Sequence, residues 1–167
     1  LDSQGDPRLA PGLARTAVDD TAVVAIVGPA FSGESRAAGP LLDAAGLPFI
    51  TPSATNPTLS TMGWTTFHRS LGNDDAQGPG AAAYLTNTIK AERVAVVDDG
   101  STYGTSLASS VVHELGGRVT VTDRVRQGQT DFTATVTKLK GANLTSADAI
   151  FFGGYYQEAG RLLPQLR

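Results

Sequence analysis

A chain of 167 residues with 41% apolar side chains holds enough core-forming material for one ordinary domain or two small ones. Its 16 acidic and 13 basic residues give a net charge of −3, and the basic residues are scattered without a run, which argues against a nucleic-acid surface. The absence of cysteine excludes disulfides, thiol catalysis and thiolate metal sites, and no segment approaches the ~20 consecutive apolar residues of a membrane helix.

The opening Leu1-Asp2-Ser3-Gln4-Gly5-Asp6-Pro7 carries neither an initiator methionine nor a signal peptide, so the expectation is a processed product or an excised piece of a longer chain. Leu9, Leu13, Ala14 and Val18 recur at helical spacing and predict a helix over 8–20. The apolar run Val23 to Val27 predicts a strand that breaks into the loop Gly28-Pro29-Ala30-Phe31-Ser32-Gly33. The next helix is expected to begin near Glu34 or Ser35, to bury Leu41, Leu42 and Ala45, to be interrupted at Pro40 and to stop at Gly46. Pro48-Phe49-Ile50 is a second strand leading into Thr51-Pro52-Ser53-Ala54-Thr55-Asn56, and the alternating Thr65 to Leu71 is a third.

Gly72-Asn73-Asp74-Asp75 breaks that pattern and is the expected crossing between two lobes, residues 1–72 and residues 73–167. Beyond it the pattern predicts a helix over 75–89, a strand from Val94, a helix from Thr105 to Leu115 ending at Gly116-Gly117, and a strand from Arg118 to Val125. A helix over 131–140, a strand from Ala149 and a helix over 158–166 follow. Strands alternating with helices imply an α/β fold, with parallel sheets and helices on both faces. The long apolar runs agree, because parallel strands are buried on both sides.

In open α/β sheets, ligands sit beyond the carboxyl ends of the strands, so the loops there are the candidate site. Ser32 and Thr55 follow two of the strands, where a hydroxyl beside helix N-terminal N–H groups receives a carboxylate or phosphate; the other reading is that both are caps or turn residues. Tyr103 and Tyr155 occupy two further strand-end loops, placed to close over an apolar ligand. Enzyme readings find no support: the G-x-S-x-G elbow, the phosphate-binding G-x-x-x-x-G-K-[ST] loop and G-x-G-x-x-G are all absent. His68 and His113, the 2 histidines, read as packing or surface residues. Asp98 and Asp99 point to opposite faces and read as turn and helix-start residues, not a metal site. Neither a metal nor a cofactor is called for.

At Thr51-Pro52-Ser53-Ala54-Thr55-Asn56-Pro57-Thr58-Leu59 the sequence resembles the branched-chain amino-acid binding proteins of bacterial ABC importers, within the type I periplasmic binding-protein fold. Matches continue, in order and spacing, at Val27-Gly28-Pro29 to Ser32, Phe67-His68-Arg69, Asp75-Ala76-Gln77-Gly78-Pro79, Val97-Asp98-Asp99 to Tyr103-Gly104, Asp131-Phe132 and Phe152-Gly153-Gly154-Tyr155-Tyr156-Gln157-Glu158. The resemblance implies a non-enzymatic, extracytoplasmic solute-binding protein, periplasmic or lipid-anchored. Two Rossmann-like lobes would close on a leucine, isoleucine, valine or related aliphatic amino acid for delivery to a membrane permease. Ser32 and Thr55 would hold the ligand carboxylate, and the Ser53 carbonyl with the Thr55 hydroxyl would face the ammonium. Ala30 and Phe31 would line the side-chain pocket, and Tyr103 and Tyr155 would cover it. An amino-acid or amide sensor domain of the same fold is the alternative; an α/β hydrolase or nucleotide enzyme is a reading from another class. The match corresponds to the middle of the family's length, so both lobes would be incomplete, with exposed sheet edges that favour self-association and weak ligand binding by this chain alone.

Overall fold

In the computed structural model, which describes residues 1–167, each of two units, Leu1–Asn73 and Asp74–Arg167, is built on its own three-stranded parallel sheet. In the first unit, helix α1 (Ala10–Asp19) carries Pro11 in its first turn, where the missing N–H has no helical partner to lose. Its Ala10, Ala14 and Ala17 fall on one face and are buried, and their small side chains let α2 (Ser32–Ala44) approach closely through Ala38 and Leu42. Helix α2 runs through Pro40 without ending, contrary to the expected interruption. The proline removes a bond to the Arg36 carbonyl, and both residues lie on the exposed face of the helix, where losing one bond is tolerated. The helix stops as expected at Gly46, whose φ of +66° ends it in a left-handed turn. There the Leu47 N–H returns to the Leu42 carbonyl at 2.9 Å and the Gly46 N–H to that of Asp43 at 2.9 Å. Ala45 is the cap and is exposed, while Leu47 takes the buried place expected for it.

Strands β1 (Ile26–Val27), β2 (Phe49–Thr51) and β3 (Phe67–Arg69) lie in the order β1-β2-β3. Their register aligns Ile26, Phe49 and Phe67 on one face, which α1 and α2 cover. Trp64 closes this core, its ring 5.9 Å from that of Phe49. A Cβ at Gly39 would lie 2.4 Å from the indole, so α2 requires glycine there. The opposite face carries Val27, Ile50 and His68 and stays open, with Val27 84% exposed. Of the apolar run expected as a buried strand, only Ile26 and Val27 enter the ladder, because β1 is an edge strand paired to β2 alone.

The second unit follows the expected alternation. Helix α3 (Asp74–Ala83) widens into a π-turn over Tyr84–Thr88; β4 (Val94–Asp98), α4 (Thr102–Leu115), β5 (Val119–Arg124), α5 (Thr133–Gly141), β6 (Ala149–Gly153) and α6 (Tyr156–Leu166) follow. The sheet order β5-β4-β6 places β4 in the centre. Its alternate residues feed two cores: Val94 and Val96 meet Leu107 and Val111 of α4, whereas Ala95 and Val97 meet Phe132, Val136, Leu139 and Leu162 around α5 and α6. Helices therefore cover both faces here, which is why β4 tolerates an unbroken apolar run. Helices α3 and α4 touch at Gly78, where a Cβ would lie 2.0 Å from Ser110 Oγ. No helix is long and apolar enough to cross a membrane.

Candidate functional site

The carboxyl ends of β1 and β2 run into two loops that hydrogen-bond to each other. Gly28, at φ +136°, turns the chain so that the next carbonyls face the neighbouring loop. The Pro29 carbonyl accepts from Thr51 Oγ1 at 2.7 Å and from Ser35 Oγ at 3.3 Å, and the Ala30 carbonyl accepts from Ser53 Oγ at 2.5 Å. The fully buried Thr51 Oγ1 also accepts the Ala54 N–H at 3.0 Å. Arg69 on β3 anchors the far side, donating from Nη1 to the carbonyls of Ala54 at 3.1 Å and Asn56 at 2.9 Å. The residue between those carbonyls is Thr55.

Neither Ser32 nor Thr55 caps a helix. The cap of α2 is Phe31, whose backbone N–H donates to Glu34 Oε2 at 3.2 Å, while the Ser3 hydroxyl donates to the other oxygen of Glu34. The 3₁₀ turn at Pro57–Thr61 is capped by Asn56, which accepts from the Thr58 N–H at 2.9 Å. Ser32 is the first residue of α2, is 1% exposed, and accepts the Asn56 N–H at 3.3 Å, leaving its own proton to donate. Thr55 is 8% exposed, and its hydroxyl is buried with no hydrogen-bond partner in the chain. A buried hydroxyl left in that state costs about 1–3 kcal/mol, so it is an open demand for a polar ligand group. The amino end of α2 beside it presents the positive end of the helix dipole, which suits an anion, while its Phe31 N–H is already taken by Glu34. Half-buried Ala30 and 39%-exposed Phe31 flank this polar spot with apolar surface. The loops thus bring Ala30, Phe31, Ser32, Ser53 and Thr55 together within the first unit.

Within the second unit, Tyr103 occupies the first turn of α4 and Tyr155 the cap position of α6. Their rings lie 5.3 Å apart and tilted by 35°, a favourable aromatic geometry. The Tyr103 hydroxyl accepts from Gln77 Nε2 at 3.2 Å. Burial pushes its phenol up from the usual value, opposed by the Gln77 bond and supported by the nearby Asp74 and Asp99 charges, so it stays protonated at neutral pH. Asp98 is engaged by Arg124 Nε at 2.8 Å and the Gly100 N–H at 2.8 Å. Asp99 turns the other way, into a buried position, where it accepts from the Ser101 and Tyr155 N–H groups. His68 and His113 are both exposed.

Sequence reasoning missed the supporting residues. Thr51 and Arg69 stood within recognised stretches, but nothing in the spacing announced that they bond to loop carbonyls. Asp99 was legible as a turn residue and not as a partner of Tyr155, 56 positions away.

Along residues 1–167 the chain matches the model of the periplasmic binding protein family. An amino-acid binding protein of Pseudomonas aeruginosa is 36% identical over 99% of the chain and 44% of its own length. The Leu/Ile/Val-binding protein of Escherichia coli is 34% identical over 99% of the chain and 45% of its own length. Among solved structures, a leucine-binding protein of Thermotoga maritima superposes with a TM-score of 0.91 at 30% identity, over 100% of the chain and 47% of its own. A branched-chain amino-acid transporter substrate-binding protein of Streptococcus pneumoniae, in complex with isoleucine, gives 0.89 at 33% identity over 100% and 47%. The chain spans about half the length of the curated relatives it matches.

Proposed function

The chain belongs to the periplasmic binding protein family, and from that premise we propose that it binds a branched-chain or related aliphatic amino acid as part of the solute-binding component of an ABC importer. The protein works outside the cytoplasm, in the periplasm or lipid-anchored at the cell surface, and hands its ligand to a membrane permease without chemical change. Residues 1–72 belong to one lobe and residues 73–167 to the other.

The buried Thr55 hydroxyl without a partner is the observation that carries this reading. A zwitterion offers what it lacks: a carboxylate to accept its proton, or an ammonium to donate to it. Ser32 and the α2 amino end complete the carboxylate receptor, and the Ser53 carbonyl joins Thr55 toward the ammonium. Ala30 and Phe31 line the apolar end of the ligand, and Tyr103 and Tyr155 cover it. The names of the relatives, leucine-specific and Leu/Ile/Val-binding proteins, support this ligand class.

Titration calorimetry of the full-length protein against a panel of amino acids tests the reading. Leucine, isoleucine or valine is expected to bind best, with Ser32→Ala and Thr55→Ala each weakening affinity at least tenfold. A protein indifferent to every aliphatic amino acid refutes it.

Alone, this chain is expected to self-associate. Strand β1 leaves one edge unpaired, and Val24, Val27 and Ile50 are 81%, 84% and 38% exposed. Size-exclusion chromatography with light scattering decides: a monodisperse monomer at micromolar concentrations speaks against it.

A further inference from the structure

We propose that Asp99 is a positioning residue that sets both tyrosines through the two oxygens of one carboxylate. This rests on the reading above that Tyr103 and Tyr155 cover the ligand side chain.

Asp99 follows β4 and is 1% exposed. Its Oδ2 accepts the backbone N–H of Tyr155 at 2.9 Å, and its own N–H donates to the Gly153 carbonyl at 3.1 Å, which ties the end of β4 to the turn between β6 and α6. Its Oδ1 accepts the N–H of Ser101 at 2.9 Å. Ser101 caps α4, its Oγ accepting from the Gly104 N–H at 2.8 Å, and so fixes the helical turn that carries Tyr103. One oxygen therefore holds Tyr155 directly, and the other holds Tyr103 through the cap.

Two turns pack directly against the carboxylate. A Cβ at Gly104 would lie 2.2 Å from Asp99 Oδ1, and a Cβ at Gly154 would lie 2.6 Å from its Cγ and Oδ2. Glycine at both places lets two turns close around a side chain that has only oxygens to offer two backbone donors. No other residue type satisfies the arrangement: asparagine has the shape but presents an NH₂ to one of the two N–H groups, and glutamate has the charge but is one methylene too long.

The ring pair reports on this coupling without any ligand. In the 167-residue chain labelled with 3-fluorotyrosine, ¹⁹F NMR resolves the tyrosines, assigned by single Tyr→Phe variants. Asp99→Asn is expected to shift or broaden the Tyr103 and Tyr155 signals and to leave Tyr84, which is on the α3 side of the unit, in place. Gly154→Ala, whose new methyl takes the space of Oδ2, is expected to do the same with Asp99 intact, and it decides the matter should Asp99→Asn fail to fold. In the full-length protein, both variants are expected to weaken leucine binding about tenfold while changing alanine binding less than twofold, because the smaller side chain makes little use of the cover. Unchanged Tyr103 and Tyr155 signals in both variants overturn the positioning role. So does equal weakening toward leucine and alanine, which marks a general loss of structure. A wild-type protein that binds neither amino acid overturns the functional reading instead, and the fluorine spectra still decide the role of Asp99.

Discussion

Replacing Thr55 with valine separates a binding hydroxyl from a structural one by the sign of its effect. The two side chains share shape and β-branching, so the exchange removes one hydroxyl and adds one methyl with little change in rotamer preference. In the ligand-free chain that hydroxyl is buried without a partner, a condition that costs about 1–3 kcal/mol. Thr55→Val is therefore expected to stabilise by about 1 kcal/mol, the low end of that range, because a neighbour relaxes to meet part of the demand. With a typical denaturant slope of about 2 kcal/mol per molar, the urea midpoint rises by about 0.5 M. Binding should move the other way: a hydrogen bond to a charged group contributes about 1.5–3 kcal/mol, which corresponds to roughly 10- to 150-fold in affinity for leucine. Ser32→Ala gives the control. Its hydroxyl accepts the Asn56 N–H at 3.3 Å, so its loss should reduce both stability and affinity. The assays are urea denaturation followed by circular dichroism for the chain, and calorimetry with L-leucine for the full-length protein. A Thr55→Val chain destabilised by 1 kcal/mol or more would falsify the reasoning, since the hydroxyl would then be satisfied within the fold. Wild-type leucine affinity in the same variant would remove it from the site.

Acid should destabilise the second unit through Asp148, whose carboxyl is held down to about 2 by the Arg93 guanidinium at 2.6 Å and the Thr145 N–H. A depressed folded-state value means that this stabilisation is present above about pH 4, the unfolded value, and is lost as pH falls toward 2. Urea midpoints measured across that window should fall less steeply in Asp148→Asn than in the parent chain. At the α3–α4 contact, Gly78→Ala forces a methyl to within 2.0 Å of Ser110 Oγ and should destabilise by about 1–3 kcal/mol. Adding Ser110→Gly should restore part of that loss, and no recovery would place the contact elsewhere. Leu42→Ala empties a site that is 1% exposed beneath β1 and β2; a loss of about 2–5 kcal/mol is expected by the same denaturation assay.

Much of this protein is local in origin and so could be read from the chain. The order of strands and helices follows from apolar periodicity. Gly46 ends α2 because glycine alone enters the left-handed turn cheaply, and the unbroken run of β4 signals a strand buried on both faces. The same reasoning located the strand-end loops and singled out Ser32, Thr55, Tyr103 and Tyr155 as the residues worth watching. Its errors share one cause. Pro40 stays inside α2 and Val27 stands in solvent because each depends on what lies beside it: an exposed helix face in one case, an uncovered sheet face in the other.

Residue types and their spacing by themselves determined an α/β chain with hydroxyls and rings at the ends of its strands. Only the tertiary structure decided which of those hydroxyls already has a partner within the chain. Ser32 accepts a backbone N–H contributed by Asn56 from another loop, Thr55 is sealed in by loops that Arg69 and Thr51 hold, and Asp99 joins turns 56 positions apart. Hydrogen-bond satisfaction depends on groups brought together through space, so no local pattern along the chain records it.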